Sequence, residues 1–293
     1  MSGARAGEGA SMQGKACVIT GATSGIGLVA AERLAALGAR LLLVARDTAR
    51  GEAAFARIQA RAPGAPLRLV YGDLSRLAEM NRLAGEIAAL EPRIDVLINN
   101  AGAMFAERGL TADGLERTFA VNHLAYFVLT NRLKPNLVAA SRARVVNTAS
   151  AAHRRAADGL DFADLQSERG YHYMSVYGRS KLANILFTRE LARRWAGTGV
   201  TANCLHPGFV ATRFGDNNRG FFRLGLAVAK LFAITPEKGA ETIVYLASSP
   251  DVSAISGDYF YKCRPATPTA GGRDDTAANR LWNESAKLAG IDN

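Results

Sequence analysis

Two patterns of apolar residues alternate along this chain. Short runs rich in β-branched and other apolar residues are KACVIT (Lys15–Thr20), ARLLLVARD (Ala39–Asp47), LRLVYGD (Leu67–Asp73), IDVLINNAG (Ile94–Gly102), RVVNTAS (Arg144–Ser150), VTANCLHPGFVAT (Val200–Thr212) and GDYFYKC (Gly257–Cys263). Between them, apolar residues return at helical spacing, as in LVAAERLAALG (closed by Gly38), TARGEAAFARIQARA, SRLAEMNRLAGEIAAL, a long apolar stretch over roughly Leu115–Ala139, and SVYGRSKLANILF. The first pattern predicts buried strands and the second helices. TPEKGAETIVYLAS predicts a further helix opening at Pro236, with Glu237 and Glu241 in its first turns, and a polar helix closes the chain around Thr276–Leu288. Strands that are apolar on both faces need helices on both faces. The expected fold is α/β: a single-domain, doubly wound parallel sheet of about seven strands with helices on both sides. Residues 14–293 form that domain, behind a small, polar, disordered tail at 1–13.

The first strand runs into GATSGIG and then a helix, the context of a phosphate-binding loop in a Rossmann-type domain. Gly21, Gly25 and Gly27 allow a tight turn and close backbone approach, while the helix start offers N–H groups to a pyrophosphate. Their spacing, Gly-x-x-x-Gly-x-Gly, differs from the usual dinucleotide fingerprint. At the end of the second strand a carboxylate would bind a ribose 2′-OH and a cation a 2′-phosphate. Arg46 comes first there, so the cofactor expected is NADP(H) rather than NAD(H). Asp73, at the third strand's end, suits either an adenine amine or a helix cap. Ser150 ends the fifth strand, on the side where such sheets bind ligands.

Tyr177 and Lys181 stand four residues apart in a helical segment and so share a face. A cation about 4 Å from a phenol at an effective dielectric near 20 is worth ~4 kcal/mol, enough to lower a tyrosine pKa from ~10 by roughly 2 to 3. The pair is therefore expected to poise Tyr177 for proton transfer near neutral pH. Asn122, in the middle of an apolar helix, needs a partner or a bound water.

Composition narrows the setting. Of 293 residues, 48% are hydrophobic and 21% charged, which fits a globular protein. The longest run without Asp, Glu, Lys or Arg, Trp195–Thr212, carries Gly, Asn, His and Pro and is no membrane span; with no export signal, a cytoplasmic protein is expected. Cys17, Cys204 and Cys263 form no paired motif and are expected as small buried hydrophobes, with no metal site. The net charge is +10, and Arg132, Lys134, Arg142, Arg144, Arg154 and Arg155 fall together without an acid. Aromatic residues are absent from that stretch, so a nucleic-acid surface is not expected; a field attracting an anionic cofactor is. RGFFRLGLAVAKLFAI (Arg219–Ile234) is apolar with basic residues, and reads as part of a substrate lid over 213–235 or as a weak membrane-surface contact.

Thr20-Gly-Ala-Thr-Ser-Gly-Ile-Gly27, Asn99-Asn-Ala-Gly102, Asn122, Ser150, Tyr177-x-x-x-Lys181 and Pro207-Gly208 resemble the short-chain dehydrogenase/reductase family, in the family's order and from Lys15 onward. VARDTARGE, VNHLAYFVLT, DLQSERGY, HPGFVAT and the late CRPATP resemble its retinol dehydrogenase branch. The resemblance implies hydride exchange between NADP(H) and an apolar ketone, aldehyde or alcohol. It implies a catalytic set of Asn122 (holding a water that links Lys181 to solvent), Ser150 (orienting the substrate oxygen), Tyr177 (general acid/base) and Lys181 (lowering the Tyr177 pKa and holding the nicotinamide ribose). Around the cofactor it places Thr20, Gly21, Ser24, Gly25, Ile26 and Gly27 at the phosphates and adenosine, Arg46 at the 2′-phosphate, and Asp73 and Leu74 at adenine. Asn100, Ala101 and Gly102 line the ribose, and Pro207, Gly208 and Thr212 pack on the nicotinamide. It further implies a homo-oligomer, dimer or tetramer, paired through the central helices. Two departures stand out: a single serine in Ala149-Ser150, and no hydrophobic anchor of the membrane-bound branch. Other readings are reduction of a carbon–carbon double bond and an idle NADPH-binding scaffold.

Overall fold

The computed structural model describes residues 10–208 and 234–292. Its sheet holds β1 (Ala16–Thr20), β2 (Arg40–Ala45), β3 (Leu67–Tyr71), β4 (Val96–Asn99), β5 (Arg144–Thr148), β6 (Thr201–Leu205), β7 (Tyr259–Tyr261) and β8 (Arg264–Pro265), in the order β3-β2-β1-β4-β5-β6-β7-β8. All pairings are parallel except the last, where β8 returns antiparallel along β7. This is one strand more than expected. β8 is only two residues long and ends in Pro265, which leaves no periodicity to read. It exists because Lys262 and Cys263 both take the left-handed conformation (φ 50° and 58°) and reverse the chain. A proline at this edge also blocks further strand pairing. Cys263 thus sits half-buried in a turn, against expectation, while Cys17 and Cys204 are buried.

Period-two alternation assigns each central strand to two cores at once. Val18 and Leu42 point into the cluster formed with α3 (Leu77–Leu90), α5 (Ala125–Arg132) and α7 (Tyr173–Arg194). Cys17, Ile19, Leu41 and Leu43 point the other way, to α1 (Gly25–Ala36), α2 (Thr48–Arg61) and the helix Pro236–Ser248. The sheet order reverses between β1 and β4, and this is the crevice where ligands settle in such sheets.

Four boundaries differ from expectation. Met12, assigned above to the tail, is buried and donates its N–H to the Leu37 carbonyl at 2.8 Å, so packing begins before residue 14. The sixth strand ends at Leu205, ahead of Pro207. The long helix is broken into α4 (Arg117–Phe119), a π-helical turn Ala120–Leu124, α5 and α6 (Lys134–Val138), with Pro135 at the start of α6. Finally, the C-terminal helix Asp275–Ala289 is amphipathic: Trp282 packs between Phe127 (5.0 Å) and Phe187 (5.8 Å), covering the outer groove between α5 and α7.

Candidate active site

At the crevice, the turn after β1 is shaped by backbone. Gly21 has φ 69°, and a Cβ there would lie 2.7 Å from the Ala101 Cα; one on Gly27 would lie 2.4 Å from the Gly21 carbonyl oxygen. Asn100 ties the turn down, its amide nitrogen donating to the carbonyls of Thr20 (3.2 Å) and Gly21 (3.1 Å). The Thr20 hydroxyl accepts the N–H groups of Asn100 (2.9 Å) and Ala101 (3.1 Å). Ser24 caps α1 without a side-chain hydrogen bond, and the first turn of α1 carries no acid. The donor set is therefore a run of backbone N–H groups at a helix start, the chemistry a pyrophosphate requires. Asn100 and Ala101, the residues expected along the ribose, thus also cross-link the turn from beneath.

Beyond β2, Arg46 is exposed and makes no hydrogen bond or ion pair among the described residues. Asp47, the only carboxylate at that strand end, caps α2 by accepting the Arg50 N–H at 2.8 Å. Arg50 reaches back to the Ser24 hydroxyl at 3.3 Å. Attention to the strand end alone missed Arg50; its position in the first turn of α2, one helical turn after Arg46, is the signal that could have found it. Asp73 resolves as a turn former, its carboxylate accepting the Ser75 N–H at 3.0 Å, while α3 itself is capped at Arg76. Leu74 lies in the buried cluster.

Across the crevice Asn122 and Lys181 are buried, while Ser150 and Tyr177 keep part of their surface exposed. Asn122 is wholly buried in the π turn: its Oδ1 accepts the Ala103 N–H (2.8 Å), and its amide donates to the Ala103 carbonyl (2.9 Å) and the Ser180 hydroxyl (3.0 Å). The extra residue of a π turn lets consecutive side chains serve different neighbours. Asn122 turns toward the site, while His123 packs among Phe119, Phe127 and Phe187 with its Nε2 2.8 Å from the Ser285 hydroxyl. Gly102 fits between; a Cβ there would stand 3.3 Å from Asn122 Oδ1 and 3.4 Å from Lys181 Nζ.

α7 puts Tyr177 and Lys181 on one face, as expected. Lys181 is 2% exposed and its ammonium donates to the Thr148 carbonyl at 3.0 Å, 5.6 Å from the Tyr177 ring centre and 5.8 Å from that of Tyr126. Burial brings its pKa down to about 7. The Tyr177 phenol, in contrast to the expected lowering, is pushed up by burial, against which a hydrogen bond to Ser150 works in the other direction. Desolvation outweighs the cation here, since Lys181 is itself desolvated and only about half protonated at pH 7. Tyr177 therefore keeps its proton. Ser150 caps the 3₁₀ turn Ala151–Ala156, its hydroxyl accepting the Ala152 N–H at 3.1 Å. Ser180 and Thr148, which hold Asn122 and Lys181, carry no motif of their own and were not singled out from sequence.

The short chain dehydrogenase family model matches residues 15–220. This chain belongs to the short-chain dehydrogenase family. It is 42% identical to mouse retinol dehydrogenase 14 over 96% of this chain and 87% of that protein. To human retinol dehydrogenase 13 it is 38% identical over 97% of this chain and 87% of the other. Among solved structures, an uncharacterised protein of Mycobacterium paratuberculosis superposes with a TM-score of 0.78 at 32% identity, covering 99% of both chains. A Burkholderia cenocepacia short chain dehydrogenase in complex with NADP gives a TM-score of 0.68 at 26% identity, over 85% of this chain and 96% of the other.

For a family of oxidoreductases built on nicotinamide cofactors, the remaining expectations sort as follows. Tyr177, Ser150, Lys181, Asn122, Gly102 and the glycine turn lie toward the carboxyl ends of the central strands β1, β4 and β5, and Pro207 and Gly208 follow β6, whose Leu205 pairs with Thr148. Thr212 and the 213–235 lid, apart from Ile234 and Thr235, lie outside the described residues. The basic stretch 132–155 is no stripe. Arg144 is turned inward to the carbonyls of Leu246 (3.0 Å) and Ser249 (2.7 Å), Arg132 bonds Asn81 (2.8 Å), and Lys134 lies over Trp195 at 5.2 Å. Among the described residues no helix is long and apolar enough to cross a membrane.

Proposed function

We propose that the protein is an NADP(H)-dependent oxidoreductase exchanging a hydride with an apolar ketone or aldehyde, or the matching alcohol. The observation that carries it is the placement of Tyr177, hydrogen-bonded to Ser150 and beside Lys181, at the carboxyl ends of the central strands shared with the glycine turn. Bound at that turn, NADPH supplies the hydride. Ser150 would orient the substrate oxygen, and Tyr177 would donate its proton to that oxygen as negative charge develops. Lys181, able to hold or release a proton near pH 7, would restore the tyrosine proton. Asn122 keeps the β4 loop and the π turn in register, and its role as the anchor of a water leading from Lys181 to solvent belongs to this reading.

Preference for NADP(H) rests on Asp47 being engaged as a helix cap, so that Arg46 and Arg50 face a 2′-phosphate without a competing acid. The relatives named retinol dehydrogenases favour an apolar substrate of that kind. Association is read as a homo-oligomer, although Trp282 and its helix cover the groove between α5 and α7 that pairing through the central helices would use. A cytoplasmic site of action completes the reading.

The test is a fluorescence titration with NADPH and NADH beside Arg46→Ala, then turnover of retinaldehyde and a panel of apolar ketones and aldehydes. Tight NADPH binding weakened by Arg46→Ala, and turnover abolished in Tyr177→Phe, are expected. Equal binding of both cofactors would remove the NADP(H) assignment, and panel turnover surviving Tyr177→Phe would remove the mechanism.

A further inference from the structure

His153 is completely buried one turn beyond Ser150, and its two ring nitrogens face different segments. Nδ1 lies 2.7 Å from the Ser150 carbonyl oxygen, and Nε2 receives the backbone N–H of Thr269 at 3.3 Å. A backbone N–H can only donate, so Nε2 is the acceptor and the ring proton sits on Nδ1, donated to Ser150. The same carbonyl also accepts the His153 backbone N–H at 3.1 Å. Burial lowers the pKa of the ring and keeps it neutral, which this pairing requires. The ring edge packs against Tyr259 at 5.3 Å.

The consequence falls on the Ser150 hydroxyl. It accepts the Ala152 N–H, so its own proton is directed away from the turn, toward Tyr177 and the side where a substrate oxygen would sit. That orientation holds only while residues 150–153 keep their shape. The segment Thr267–Arg273 packs on this turn as well, where a Cβ on Gly271 would come within 3.1 Å of the Ala157 carbonyl oxygen. We propose that His153 is a positioning residue for Ser150, a neutral strut whose Nδ1–H holds the Ser150 carbonyl and fixes the direction of the serine hydroxyl, with the Thr269 N–H locking the ring in that tautomer. The inference rests on Ser150 being the group that orients the substrate oxygen.

Two substitutions separate the two ends of the strut. In His153→Asn an amide nitrogen takes the place of Nδ1 and still donates to Ser150. In His153→Gln the amide reaches the Nε2 position, where it can meet Thr269 but not Ser150. His153→Phe keeps the ring on Tyr259 and loses both bonds. With NADPH and retinaldehyde, His153→Phe and His153→Gln are expected to lower kcat at least ~10-fold, as small misplacements of a reacting group do, with NADPH affinity unchanged, while His153→Asn stays near wild type. Amide exchange at Ala152, whose N–H bonds the serine hydroxyl, is expected to quicken in the Phe and Gln variants and not in Asn. Equal kcat in all three variants, or unchanged Ala152 protection in His153→Phe, overturns the proposal. If the wild type reduces no carbonyl, the reading of the reaction fails, and Ala152 exchange alone decides whether His153 holds Ser150.

Discussion

The glycine turn after β1 and the Tyr177–Lys181 side of the crevice face each other at the carboxyl ends of the central strands, yet different groups build them. At the turn the working groups are backbone N–H donors, and side chains matter mainly where they must be absent: a Cβ on Gly27 would meet the Gly21 carbonyl and the Asn100 amide at 2.4 Å. Across the crevice the working groups are side chains drawn from β5, the π turn and α7, each held by partners distant in sequence, such as Asn122 by Ser180 and Lys181 by Thr148. The turn leaves its donors accessible and its pKa logic simple. On the opposite side Asn122 and Lys181 are buried, and there burial sets the charge of the lysine. One half is built from backbone donors, the other from side chains held by long-range partners.

Removing the general acid tests the second half most severely. Tyr177→Phe is expected to lower kcat by roughly 10²–10⁴-fold with NADPH affinity unchanged, read by steady-state kinetics and fluorescence titration. A parallel loss of NADPH binding would mean the two halves are not separable. Gly27→Ala attacks the first half. NADPH affinity should drop by about 100-fold and stability by about 2 kcal/mol, since the added methyl has only backbone and the Asn100 amide to displace. Unchanged affinity would show that the turn does not approach the cofactor closely.

Smaller effects sharpen the contrast. Arg46→Ala and Arg50→Ala should each weaken NADPH by about tenfold, ~1.4 kcal/mol, and leave NADH alone. Equal losses for the two cofactors would place these arginines elsewhere. On the proton-transfer side, Lys181 titrates at 10.5 unfolded and about 7 folded. Between those values the unfolded chain binds the extra proton, so stability rises with pH, by up to ~1.4 kcal/mol per pH unit. Below the folded value both states are protonated and the burial cost is constant. Lys181→Met should therefore be the more stable protein at pH 7, with its lead shrinking by pH 9 in denaturant titrations. Parallel curves would mean that Lys181 is not desolvated.

Residues from all parts of the chain show where sequence reading works. The strand runs, the helices between them, the glycine turn and the shared face of Tyr177 and Lys181 were legible because each depends on spacing within a single element. Arg46 was legible for the same reason. Arg50 was not, because what marks it is a contact with Ser24 across two elements. The break at Ala120–Leu124 escaped as well, since its apolar spacing is that of any helix and the π turn is stabilised by the partners of Asn122 and His123.

The amino-acid sequence by itself determined the layered α/β order, the glycine turn after β1 and the shared helix face of Tyr177 and Lys181, because periodicity, glycine and i,i+4 geometry are local properties. Tertiary structure decided how those groups are charged and held. Tyr177 was expected to lose its proton easily beside Lys181, but burial works against the charged form of both. The C-terminal helix, which reads as merely polar, lays Trp282 across α5 and α7, and Thr269 meets His153 from 116 residues away. Solvation and long-range contact depend on what the folded chain brings around a residue, and no stretch of sequence carries that on its own.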